Sequence, residues 1–167
     1  MFSSLLLSLA ESVLSEARAK GLHIATAESC TGGLIAGLLT EIPGSSDVLD
    51  CGFVAYSNEA KEELLGVPHA LIVDQGAVSE AVARAMAEGA IANSAAQLTV
   101  AVTGIAGPGG GTKLRPVGLV HLAACRKGCA TLHEEYRFGD LGRAQVRMKA
   151  ITAALALLHR LFENSDK

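Results

Sequence analysis

The sequence has no tryptophan, and aromatic residues make up only 4 % of its 167 positions. That scarcity argues against an aromatic-rich sandwich core. The 18 glycines and the many alanines suit closely packed helix and sheet layers instead. Basic residues are not in excess: 14 Lys and Arg stand against 17 Asp and Glu, a net charge of −3. A general nucleic-acid surface needs clustered cations, so no nucleic-acid partner is expected. A small phosphorylated ligand remains open, because one or two local cations can hold it. No apolar run reaches the ~18 residues of a membrane span. The opening stretch "MFSSLLLSLAESVLSEARAKG" lacks a basic start, and Glu11 and Glu16 interrupt it, so it does not read as a signal peptide. The expectation is a soluble, cytoplasmic protein without a membrane partner. Neither is there a zinc pattern. Cys125 and Cys129 flank the turn in "CRKGC", but no second cysteine or histidine pair completes a set, and Cys30 and Cys51 stand apart. The four read as free thiols, with no metal and no cofactor expected. The five histidines are scattered, without a helical ligand pair, and read as structural or solvent-facing.

No linker, repeat or low-complexity tract divides the chain, so residues 1–167 read as one domain. Leu5, Leu6, Leu9, Val13 and Ala17 recur at helical spacing, which predicts a first helix from about Ser4 to Lys20, stopped at Gly21. Its apolar face is the candidate surface for a homo-oligomer, a dimer. "HIATA" predicts a strand, "TGGLIAGLLTEI" a helix and "CGFVAY" a strand. "SNEAKEELLG" is a short helix capped by Ser57 or Asn58 and ended by Gly66. "PHALIVDQGAV" reads as irregular, and "SEAVARAMAEGAIANS" as a helix with a serine cap. "QLTVAVT" is a strand, followed by a glycine-rich loop. "VGLVHLAAC" and "ATLHEEYRF" form a hairpin about "RKG", before a helix from about Gly142 to Phe162. The alternation predicts an α/β fold: a three-layer α/β/α domain with a mixed, mainly parallel sheet. Ligands of such sheets bind beyond the carboxyl ends of strands. "ESCTGG", "SNEAK" and "TGIAGPGGG" all fall there.

In "TAESCTGG", Ser29 sits between strand and helix, where a sharp turn exposes a nucleophile. The backbone N–H groups of Thr31, Gly32 and Gly33 would lie at the helix start, able to hold an oxyanion or a phosphate. Ser29 fits a plain helix cap equally well. Cys30 is the rival nucleophile, or a buried filler. The missing base is Lys61. On a helix at about 100° per residue, it falls in the arc of Ala60, Leu64 and Leu65 and away from Glu59, Glu62 and Glu63. Burial would lower its pKa and make it a base for the serine. A snorkelling lysine with its head in water fits the same spacing. Tyr56 precedes that helix and could donate a proton, or be a half-buried strand tyrosine. "TGIAGPGGG" places Thr103, Gly104, Ala106 and Gly107 in a loop suited to an anionic or polar ligand. Arg143 and Arg147 start the apolar stripe of Ile151, Leu155, Leu158 and Phe162, and so point inward as a phosphate clamp or as ion-pair partners of Glu134, Glu135 or Asp140.

Together, "TAESCTGGLIAGLLTEIPGSS", "GFVAYSNEAKEELLGV", "GAVSE", "VTGIAGPGGGT" and "RPVG" resemble the CinA C-terminal domain family, from about Ala25 to Arg147. Free-standing members of that family include a nicotinamide-nucleotide amidohydrolase. The resemblance implies hydrolysis of the carboxamide of nicotinamide mononucleotide (NMN) to nicotinate mononucleotide and ammonia, a step in pyridine-nucleotide salvage, by a serine–lysine mechanism. By motif, Ser29 would be the nucleophile and Lys61 its base, with Tyr56 beside them. Cys30, Thr31, Gly32, Gly33, Thr103, Gly104, Ala106, Gly107 and Arg143 would line the substrate. Other classes stay open: a non-catalytic nucleotide-binding regulatory module, or an amidase for another substrate. The chain departs from the pattern in "FGDLGRAQVR", where two extra residues separate Gly139-Asp140 from Arg143, and in Arg115, where lysine is frequent. Larger members carry an additional N-terminal domain. This sequence begins at the first helix, so no activity of that domain is expected here.

Overall fold

Short apolar strands alternate with capped helices through most of the chain. The computed structural model, which describes residues 2–163, arranges them as α1 (Ser4–Ala19), β1 (Ile24–Glu28), α2 (Leu34–Thr40), β2 (Leu49–Val54), α3 (Asn58–Leu65), α4 (His69–Gln75), α5 (Glu80–Ala92), β3 (Leu98–Gly104), β4 (Leu119–Arg126), β5 (Leu132–Arg137) and α6 (Arg143–Glu163). Met1 and residues 164–167 of the expected domain lie outside the described residues. The helix starts follow from side chains: the Ser3, Ser57 and Ser79 hydroxyls accept from the backbone N–H of Leu6, Ala60 and Val82. The stretch expected to be irregular contains α4. Only seven residues long, with Ile72 alone fully buried, that helix is too short to show a period in the sequence.

The sheet order is β2-β1-β3-β4-β5. β1 pairs in parallel with β2 and β3, while β4 runs antiparallel to both β3 and β5. Four strands therefore share one direction, in agreement with the mixed, mainly parallel expectation. Strand alternation divides the core into two layers. Ile24, Val100, Val102, Val120 and Leu122 pack against α1, α2 and α6. Ala27, Ala101 and Ala123 face α3, α4 and α5. Small side chains on that second face let helices come close. At Gly89 in α5, an added Cβ would lie 1.9 Å from the Leu65 carbonyl oxygen of α3. That contact sets the position of α3, and with it the position of Lys61. No helix among the described residues is long and apolar enough to cross a membrane.

Candidate active site

β1 carries the first part of the site. Its last residue, Glu28, is fully buried, and the carboxylate accepts five hydrogen bonds. Oε1 takes Thr26 Oγ1 at 3.1 Å and Ala36 N at 2.9 Å. Oε2 takes Thr31 Oγ1 at 2.7 Å, Gly33 N at 3.1 Å and Ile35 N at 3.0 Å. Glu28, and not Ser29, caps α2. The Ser29 hydroxyl is thereby left available at the strand end. Gly32 and Gly33, at φ +60° and +93°, make a left-handed turn that other residues would enter only with strain. The expectation that Gly32 and Gly33 offer free amides is corrected: Gly32 N–H donates to Ser29 O at 3.0 Å and Gly33 N–H to Glu28. The Cys30 and Thr31 amides donate to no other described residue. They are the donors that this turn leaves open.

β2 and α3 carry the candidate base, Lys61. Lys61 is only 2 % exposed, so it does not snorkel into solvent. Its Nζ lies 3.2 Å from Ser29 Oγ, across 32 residues of sequence. Around it stand the carbonyl oxygens of Ala55 at 3.1 Å, Tyr56 at 3.3 Å and Ser57 at 3.4 Å. No carboxylate forms an ion pair with it among the described residues. The carbonyl dipoles favour an ammonium, while loss of solvent opposes it. Burial is the larger effect and lowers the lysine pKa from its ordinary 10.5. The rival nucleophile fares worse. Burial pushes the Cys30 thiol up to about 12, with the nearby Glu28 charge adding to the effect. A thiol so disposed holds almost no thiolate near neutrality.

β3 and α6 supply the far wall. Arg143 donates from Nη1 to Gly107 O at 3.1 Å and from Nη2 to Tyr56 Oη at 3.0 Å, tying the glycine-rich loop to the tyrosine. No ion pair joins either arginine to Glu134, Glu135 or Asp140. Arg147 points instead at the turn, with Nη2 donating to Thr31 O at 2.8 Å. Thr103 is buried, and its hydroxyl donates to Ala77 O at 2.8 Å, fastening the loop before α5. Gly104 packs against β4, where a Cβ would meet Val120 and the Leu119 carbonyl at 2.8–2.9 Å. Ala106 is buried beside it. The amides of Ala106 and Gly107 donate to no described residue, so this part of the loop keeps donors for a ligand. Ser29, Cys30, Thr31, Tyr56, Lys61, Gly107 and Arg143 are thus linked into one site at the carboxyl ends of β1, β2 and β3. Sequence reasoning missed the Glu28 cap. An acid ending an apolar strand, eight residues or fewer before several helix-start amides, is the signal that could have found it.

Two histidines expected to be separate meet on the α5 face of the hairpin. His121 Nδ1 and His133 Nε2 lie 3.0 Å apart, with rings stacked at 5.3 Å. Such a contact needs one nitrogen to donate and the other to accept, so both rings cannot be protonated in place. Glu80 of α5 and Glu135 of β5 face the pair at 3.6 and 3.9 Å. Arg84 of α5 and Arg137 of β5 oppose protonation. Burial comes first, and both pKa values fall below the ordinary 6.5. A lowered folded-state pKa means that the unfolded chain takes up protons first. The pair's contribution is complete above about 6.5 and is lost progressively as pH falls below it toward the lowered values of the folded rings. Between pH 7.5 and 5.5, the melting point of the wild type should fall by about 2–4 °C more than that of His133→Gln, the shift ~1 kcal/mol gives a domain of this size. Equal falls in calorimetry would remove the pair as the cause. Among the described residues, no group of three or more His, Cys, Asp or Glu is arranged to hold a metal ion.

Comparison with known proteins sets this geometry among relatives. The model of the CinA C-terminal domain matches residues 6–162. A CinA-like protein of Anaeromyxobacter sp. (strain K) is 53 % identical over 151 residues, covering 90 % of this chain and 36 % of its own length. A putative competence-damage inducible protein of Caldicellulosiruptor bescii is 48 % identical over 150 residues, covering 89 % of this chain and 35 % of its own. The chain thus spans about a third of the length of these curated relatives. Among solved structures, the competence/damage inducible protein CihA from Agrobacterium tumefaciens superposes with a TM-score of 0.95 at 50 % identity, over 96 % of this chain and 98 % of that one.

Proposed function

The chain belongs to the CinA C-terminal domain family, and we propose that within it this protein is an amidohydrolase that converts NMN to nicotinate mononucleotide and ammonia. One observation carries the reading: a buried lysine amine without a carboxylate partner, 3.2 Å from a serine hydroxyl at a strand end. Lys61 Nζ, uncharged, accepts the Ser29 proton as Oγ forms a bond to the carboxamide carbon. The carbonyl oxygen becomes an oxyanion facing the Cys30 and Thr31 amides, where one donor is worth ~3 kcal/mol of barrier. The Lys61 ammonium returns its proton to the amide nitrogen, the carbon–nitrogen bond breaks and ammonia leaves. Water then attacks the ester carbon and gives a proton to Lys61. The carbon–oxygen bond to Ser29 breaks, and the serine regains its proton. Because Arg143 donates to Tyr56 Oη, the tyrosine hydrogen is free to turn toward the leaving nitrogen.

The nucleotide phosphate falls to Arg143. Two of the five guanidinium donors are engaged by Gly107 and Tyr56, and the rest are available to an anion. Arg143→Ala is expected to raise KM by roughly tenfold, about 1.5 kcal/mol for one charge-assisted contact, with a smaller effect on kcat. An unchanged KM would take Arg143 out of the binding site. Incubation with NMN and measurement of ammonia tests the reading as a whole. Ammonia release at a catalytic rate supports it. Saturable NMN binding without ammonia would make the protein a nucleotide-binding module instead.

A further inference from the structure

Thr31 is held at two atoms by two buried or half-buried groups that the mechanism above does not use. Its hydroxyl donates to Glu28 Oε2 at 2.7 Å, and its carbonyl oxygen accepts from Arg147 Nη2 at 2.8 Å. Its own amide is left without a partner among the described residues. The arrangement is costly. Among the described residues, the fully buried Glu28 has no ion-pair partner and the buried Arg147 Nε has no hydrogen-bond partner. A plain helix start needs neither: α1, α3 and α5 are capped by a single serine each. Arg147 also comes from α6, 116 residues away in sequence, and its Nη2 rests against Gly32, 3.5 Å from an ideal Cβ. The serine itself is fixed on the other side of the same turn, where Ser29 N–H donates to Val102 O of β3.

Resting on the serine-hydrolase reading, we infer that Glu28 and Arg147 are positioning residues that clamp Thr31 about its Cα, so that its free N–H and the Ser29 hydroxyl keep the spacing an attacked carbonyl needs. Neither touches substrate. Glu28 fixes the Thr31 side chain and the first amides of α2, and Arg147 fixes the orientation of the Thr31 carbonyl. The Thr31 carbonyl shares its rigid peptide plane with the Gly32 N–H, which donates to Ser29 O. Arg147 therefore fixes the plane after the Thr31 Cα, while Glu28 holds the side chain on that Cα. The free Thr31 N–H, in the preceding plane, is restrained through both. All five Glu28 contacts come from donors, so a neutral amide there would turn an N–H against at least one of them.

Three variants test the clamp. Thr31→Val keeps the shape and removes the hydroxyl, Thr31→Ser keeps the hydroxyl, and Arg147→Met keeps the stem and removes the donors. Two readouts are taken on each folded variant, as judged by its melting curve: kcat and KM for NMN, and the rate at which an aryl sulfonyl fluoride labels Ser29, followed by mass spectrometry. Thr31→Val and Arg147→Met should lose about tenfold to a hundredfold in kcat and in labelling rate, the cost of a misplacement of about an ångström, with KM moving far less. Thr31→Ser, which restores the hydroxyl, should recover most of the loss seen in Thr31→Val in both readouts. A packing role alone would lower the melting point without this split. Should Thr31→Val fail to fold, Arg147→Met decides alone. Labelling of folded Arg147→Met at the wild-type rate overturns the inference. If wild-type Ser29 is labelled but NMN is not turned over, the substrate assignment fails and the labelling rates still judge the clamp. No labelling and no turnover in the wild type would sink both.

Discussion

Replacing Ser29 with alanine is expected to reduce NMN turnover by about 10⁴- to 10⁶-fold while the protein stays folded, the loss that nucleophile removal causes in a serine hydrolase. The hydroxyl is the only atom removed, and its one described side-chain contact is with Lys61 Nζ. The turn does not depend on it, because Glu28 and not Ser29 caps α2. Cys30→Ala is the matched control. Its thiol is buried and pushed up to about 12, and so is poorly suited to attack. Steady-state ammonia release measured on both variants separates the two side chains. Retained activity in Ser29→Ala with loss in Cys30→Ala would transfer the nucleophile to the neighbouring position and contradict the mechanism.

Lys61 should prove equally indispensable, and the manner of its failure is informative. Lys61→Met keeps the buried stem and removes the amine, and kcat should fall by about 10³-fold or more, in the upper part of the usual range for general acid–base catalysis, because the proposed mechanism has the lysine act both as base and as acid. Stability should change little. The substitution removes the cost of desolvating an amine, and it leaves the Ala55 carbonyl without its Lys61 donor, an opposing penalty of about 1–3 kcal/mol. Lys61→Arg separates base chemistry from mere positive charge, since a guanidinium stays protonated throughout the working range. Loss of turnover in both variants, with melting points near wild type, is the expected pattern. Activity surviving in Lys61→Arg would show that the site needs a cation there and not a proton acceptor.

How much of this was legible in the sequence depends on how far apart the cooperating residues lie. The helices and strands could be read because their signals are local: serine caps, glycine stops and apolar stripes. Lys61 stood out because three glutamates occupied the other face of its helix, which left the amine to face the core. That the amine reaches Ser29 could not be read, because the contact spans 32 residues and depends on α3 packing against α5 at Gly89. The Glu28 cap could not be read, because nothing local shows that a strand-end side chain folds back over the next helix. The same limit hid the role of Arg147: it lies on the inward stripe as expected, but its partner is a backbone carbonyl in the opening motif. His121 and His133 are 12 residues apart, and only the register of β4 with β5 places them on one face. The glycine amides were misjudged for a related reason. A glycine-rich turn at a helix start looks like a set of free donors until the acid that takes them up is located.

The proposed catalysis depends on the protonation of one buried amine. Nitrogen NMR of the Lys61 side chain, followed through a pH titration of the unliganded protein and assigned by comparison with Lys61→Met, reads that property without reference to any substrate. A midpoint well below the ordinary lysine value of 10.5, as burial dictates, is the expected result. A lysine that keeps its proton up to that value or beyond would leave Ser29 without a base and contradict the mechanism.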